Sequence, residues 1–72
     1  MHNMKTNREL MELLKEEIKK NEESKKTYSK RYADGKMTLD EAVNIIATIE
    51  YHNEGIRDAI RIIDMNTAPW ED

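Results

Sequence analysis

The stretch Asp34-Gly35-Lys36-Met37-Thr38-Leu39-Asp40-Glu41 holds the residues whose types and spacing come nearest to a known chemistry. Gly35 and Glu41 are spaced like the sharp-turn glycine and the bidentate glutamate in the second half of a calcium-binding loop. The first half of such a loop is missing. Lys30 and Tyr32 occupy the places of the first and third carboxylate ligands, and a cation in the first place repels calcium. His2 and His52 are the only histidines, and they are too far apart for a metal site. His52 has no Asp, Glu or His three or four residues away to share a metal on one helix face. Ser24 and Ser29 lie among lysines with no histidine base at a suggestive spacing. No glycine-rich phosphate loop is present. The chain is therefore expected not to be an enzyme, to hold no metal and to need no cofactor.

A second possible chemistry is carried by cations. Lys19, Lys20, Lys25, Lys26, Lys30, Arg31 and Lys36 gather before residue 37, interleaved with Tyr28 and Tyr32. Basic residues among aromatics bind phosphates and stack bases. Glu22 and Glu23 dilute the cluster, and both tyrosines fall on the apolar face of their helix, where packing competes with stacking. A dimeric helical hairpin that binds RNA or DNA through a basic first helix, similar to the plasmid copy-number regulator Rop, is thus the alternative reading. A third chemistry is recognition of protein. The segment Ile56-Arg57-Asp58-Ala59-Ile60-Arg61-Ile62-Ile63-Asp64-Met65 is apolar on more than one side, and Trp70 follows it. Isoleucine anchors, forked arginines and a free tryptophan suit docking onto a partner. Gly55 costs a helix roughly 1 kcal/mol relative to alanine and marks where the segment could detach. The expected partner-binding residues are Arg57, Arg61, Ile62, Ile63 and Trp70. The competing reading gives the same segment a place in the core.

The elements that must position these groups follow from the chain's punctuation. Ala33-Asp34-Gly35-Lys36 is a helix stop, with Gly35 suited to the left-handed position after a last turn. Thr38 and Glu41 have the spacing of a capping box, with Met37 and Ala42 placed as a hydrophobic staple. Thr6 and Glu9 repeat the box. These signals predict a helix over 7–33, a turn over 34–37, a helix over 38–65 and an irregular tail over 66–72, with each helix roughly 40 Å long.

Spacings of three and four alternate along both helices, as in the seam of a coiled coil. The first helix contributes Met11, Leu14, Ile18, Asn21, Lys25, Tyr28 and Tyr32. The second contributes Leu39, Ala42, Ile46, Ile49, Asn53, Ile56, Ile60 and Ile63. Folding the chain at Met37 sets Tyr32 against Ala42, Tyr28 against Ile46, Lys25 against Ile49 and Asn21 against Asn53. Farther out, Ile18 meets Ile56, Leu14 meets Ile60 and Met11 meets Ile63; every pair of numbers sums to 74. The paired asparagines penalise slipped registers, in which each amide would face an isoleucine, unless both reach solvent past a thin seam. Lys25 is expected to extend its amine into water.

Val43, Ile45, Ala47, Ala59 and Ile62 widen the second helix's apolar stripe beyond what one partner helix can cover. The fold class expected is all-α: an antiparallel two-helix hairpin that dimerises into a four-helix bundle. Its hairpin and dimer core is expected at Leu14, Ile18, Asn21, Tyr28, Ile45, Ile46, Ile49, Asn53, Ile56 and Ile60. Size supports self-association, because 72 residues make a single domain in which folding hides only roughly 60% of the surface. The absence of cysteine removes disulfides as a staple and fits a reducing cytoplasm. No apolar run approaches the ~18 residues of a membrane span, and nothing at the start reads as a signal peptide. Residues 1–36 hold ten Lys/Arg against seven Asp/Glu, and residues 37–72 hold two against eight. Such asymmetry can guide pairing between helices or subunits.

The chain length, the dimerising hairpin and the run Arg61-Ile62-Ile63 resemble capsid morphogenesis protein B of the staphylococcal pathogenicity islands. Proteins of that family are internal scaffolds that bind a helper phage's major coat protein through the C-terminal segment and redirect assembly toward a smaller shell. The resemblance implies that Arg61, Ile62 and Ile63 contact coat protein while the hairpin supplies the homodimer. It also implies a place in the bacterial host cytoplasm and, transiently, inside procapsids. Asp64 stands where the family motif has a basic residue after the isoleucines.

Overall fold

The computed structural model describes residues 6–67. Two helices make up the architecture: α1, Asn7–Ala33, and α2, Leu39–Met65, packed on each other as an antiparallel hairpin. Among the described residues there is no strand. Both helices open with reciprocal caps. The Thr6 hydroxyl accepts the Glu9 amide N–H at 3.1 Å while the Glu9 carboxylate accepts the Thr6 N–H at 2.9 Å. Thr38 and Glu41 do the same at 3.2 and 2.9 Å. Thr38 is therefore the cap, and the second helix begins at Leu39 rather than at 38.

The end of α1 closes just as tightly. The Lys36 N–H donates to the Arg31 carbonyl at 2.8 Å, and the Gly35 N–H donates to the Tyr32 carbonyl at 3.0 Å. This pair of bonds satisfies carbonyls that a helix end otherwise leaves orphaned, and it needs a left-handed residue. Gly35 supplies it at φ 75°; a side chain there would cost roughly 1–2 kcal/mol.

The register follows the sum of 74. Asn21 Nδ2 donates to Asn53 Oδ1 at 2.8 Å, and Asn7 Nδ2 donates to Thr67 Oγ1 at 2.9 Å at the open end. The seam residues Met11, Leu14, Ile18, Tyr28, Ile46, Ile49, Ile56, Ile60 and Ile63 are half-buried, as is Ile45 beside them. Two expected seam members stay out in solvent. Leu39 is 56% exposed because its register partner is Gly35, which has no side chain to cover it. Tyr32 is 44% exposed because its partner Ala42 is too small to roof a tyrosine ring. Among the described residues only Ala42 and Asn53 are buried. One hairpin thus has a seam but no closed core.

Candidate interaction surface

Along the seam, each helix has a flank on either side, and the two flanks differ in chemistry. The first is charged. Asn53, wholly buried, accepts from Asn21 and donates through its Nδ2 to Glu22 Oε2 at 3.0 Å. Glu22 also receives Lys25 Nζ at 3.0 Å and lies 3.7 Å from the Arg57 guanidinium. Lys25 reaches across to Glu50 as well, forming both a hydrogen bond and an ion pair. The Lys25 amine does not extend into water as expected. Its side chain keeps only 19% of its surface exposed, because two carboxylates at the seam edge offer a fixed site for the charge.

The hydrogen bond that Lys25 donates to Glu50, then the one it donates to Glu22, raises the Lys25 pKa above its ordinary value. The same bond to Lys25 lowers the Glu50 pKa. Glu41 is lowered by the Thr38 backbone N–H that it accepts. Depressed carboxyl values stabilise the fold above the ordinary 4.5 and stop doing so as pH falls through the lowered values. The raised amine contributes fully below its ordinary 10.5, and that contribution is lost as pH rises through the raised value. The melting temperature should therefore be flat between these limits and fall on both sides. Glu41→Gln keeps the capping geometry but cannot titrate, so its acid limb should be shallower in circular-dichroism melts. An acid limb identical to the parent's would show that this cap carries no linkage.

The second flank holds a groove that no charged side chain lines. Asn21, Ser24 and Tyr28 of α1 face Asn44, Ile45, Thr48 and Ile49 of α2 across an open groove of about 380 Å³. Leu10, on α1 toward the open end, is 38% exposed.

The sequence-expected site residues are divided between these places. Arg57 is turned toward Glu22 on the charged flank. Arg61 pairs with Asp58 at 3.0 Å, and both side chains are largely exposed, so the pair holds the guanidinium only weakly. Ile62 is exposed, Ile63 is half-buried in the seam, and Met65 is exposed beyond them. Only Arg61 and Ile62 of the three-residue run thus present themselves outward. Trp70 and His2 lie outside the described residues. The basic cluster is partly spent on the hairpin itself, since Lys25 is bound as above, Lys26 lies 3.7 Å from Glu23, and Tyr28 is half-buried.

In the stretch Asp34–Glu41, Gly35 serves the helix stop and the Glu41 carboxylate is committed to the Thr38 cap. Among the described residues no group of three or more His, Cys, Asp or Glu is placed to hold a metal ion, and no helix is long and apolar enough to cross a membrane. Glu22 and Glu50 went unrecognised as functional positions in the sequence, although both sit next to the seam at positions where charges meet across antiparallel helices. Asn7 and Thr67 continue the seam at its open end, where the same spacing extended outward by four residues from Met11 and from Ile63 reaches both.

No family model matches the chain, and neither does a curated protein or a solved structure.

Proposed function

We propose that this chain is a non-enzymatic protein-binding dimer that acts as an internal scaffold, docking onto a phage coat protein through its C-terminal segment and directing capsid assembly and size. One observation carries the docking part: Arg61 and Ile62 stand outward at the open end of the hairpin, with Ile62 59% exposed, while the seam beneath them is held by Ile60 and Ile63. An exposed isoleucine beside a forked cation fits an apolar socket rimmed by carboxylates or backbone carbonyls. A coat lattice repeats that socket many times, so weak single contacts suffice through avidity. The scaffolding role itself is what the resemblance to capsid morphogenesis protein B implies.

The test is an affinity pull-down from phage-infected cells with the parent chain and with Arg61→Ala/Ile62→Ala. Both replaced side chains point away from the seam, so the double variant is expected to keep its helical signal within about 0.5 kcal/mol per site. It is also expected to lose coat-protein recovery. Coat protein retained at parental levels would sink the docking site. RNA recovered in place of coat protein would turn the reading toward the basic face of α1.

A further inference from the structure

The two flanks differ in a way that decides where a second copy would sit. The charged flank is already occupied, because Glu22, Lys25, Glu50 and Arg57 bind one another across it. The uncharged flank has no such closure. Its groove presents Ile45, Ile49 and Tyr28 around the small Ser24, with the uncharged Asn21, Asn44 and Thr48 beside them. The helices that border it have opposite charge. Over Asn7–Ala33 there are eight Lys/Arg against six Asp/Glu, a balance of +2; over Leu39–Met65 there are two against six, a balance of −4.

We infer that two hairpins stack on their uncharged flanks with both turns at the same end, about a twofold axis parallel to the helices. This rests on the dimeric reading above and adds to it the face and the direction. A parallel axis lays α1 of each copy over α2 of the other, so a helix of net +2 always faces one of net −4. A twofold axis perpendicular to the helices would reverse one hairpin and lay α2 on α2, setting −4 against −4. Opposed fields steer and fix the register of an association, and like fields oppose it. A parallel axis also preserves height along the bundle. Residue 31 of one copy then lies level with residue 43 of the other, because paired positions sum to 74. Arg31, at the edge of the uncharged flank, thus comes within about one helical turn of Glu41 in the second copy. The same stacking covers Ile45 and Ile49, which one hairpin leaves half-buried.

Because the chain contains no cysteine, Lys36→Cys places a single nitroxide at the turn of each copy. Sedimentation equilibrium at micromolar concentration is expected to give twice the 8.5 kDa chain mass. Pulsed electron–electron resonance on that dimer is then expected to give a label separation below about 30 Å. Reversed hairpins would separate the turns by the length of a 27-residue helix, about 40 Å or more. A dimer with that long separation would overturn the inference and leave the dimeric reading standing. A monomer at every concentration would overturn both. The face is tested by Ile45→Asp, expected to halve the sedimenting mass with helical ellipticity retained. If that variant unfolds instead, Ser24→Arg is measured, which crowds the groove from a half-buried position on the groove wall of α1. Dimers that persist unchanged in Ser24→Arg would overturn the assignment of the face.

Discussion

Ile46→Asp is expected to unfold the hairpin at 25 °C. Ile46 is half-buried in the seam, level with Tyr28, and it has apolar seam neighbours on its own helix in Ala42 and Ile49. A carboxylate placed there has no cation at its level, so it must either lose its charge or pull the helices apart. The cost is several kcal/mol. A domain of this size has about 4–11 kcal/mol of stability in all, at roughly 0.05–0.15 kcal/mol per residue. Ellipticity at 222 nm should fall by more than about half, since helices of this kind are marginal without the partner face. Val43→Asp is the matched control. It adds the same charge three residues earlier, at a position 53% exposed beside the seam, and should change stability by no more than about 0.5 kcal/mol. Equal losses in the two variants would show that the seam is not what holds the chain together.

The second large effect is a contrast between breaking the asparagine pair and replacing it. Asn53→Ala leaves the Asn21 amide facing a void and removes one of the groups held by Glu22. Stranded polar groups of this kind cost about 1–3 kcal/mol, which corresponds to a fall in melting temperature of about 5–20 °C in a domain of this size. Replacing both, as Asn21→Leu with Asn53→Leu, removes donors and acceptors together and fills the seam with apolar volume, so the melting temperature should hold or rise. Register should suffer instead. Without the pair, a slip of one heptad sets leucine against isoleucine at no polar cost, so cross-linking between cysteines placed at 18 and 56 should lose its preference for that pairing. A double variant that melts lower than Asn53→Ala would show that the pair stabilises the fold rather than specifying it.

Much of this fold was legible because few residues decide it. One glycine, two threonine–glutamate boxes and an alternating apolar spacing fix where each helix starts, where it stops and which face it turns inward. With the turn placed, the pairing of Asn21 with Asn53 follows from counting. The exceptions have local causes. Leu39 obeys the spacing yet faces a residue without a side chain, and spacing carries no information about what stands opposite. The spacing gives Lys25 its correct seam position but not the direction of its amine, because a four-carbon stem has many rotamers and the seam pattern says nothing of the flanks. The carboxylates that capture it, Glu22 and Glu50, lie on different helices and become neighbours only once the register is set. The surplus of isoleucines on α2 is legible in the sequence; the division of the seam's sides into a charged flank and an open groove is not, because that depends on which side Glu22 and Arg57 choose.

The order in which the hairpin assembles follows from its single turn. Contacts beside Gly35 join residues close in sequence, whereas the Asn21–Asn53 bond spans 32 positions and the Asn7–Thr67 bond spans 60. Loop closure grows more expensive with span, but once the turn exists each new pair extends a zipper that is already closed. The capped turn is thus the natural nucleus, and helix pairs add outward from Ala42. The asparagine pair sits midway along this path. Chains zipping in the wrong register meet a buried amide facing an isoleucine there and reopen before the open end can close. The last contacts to form are also the first to be lost, so the end bearing Arg61 and Ile62 opens and recloses many times while the turn stays shut.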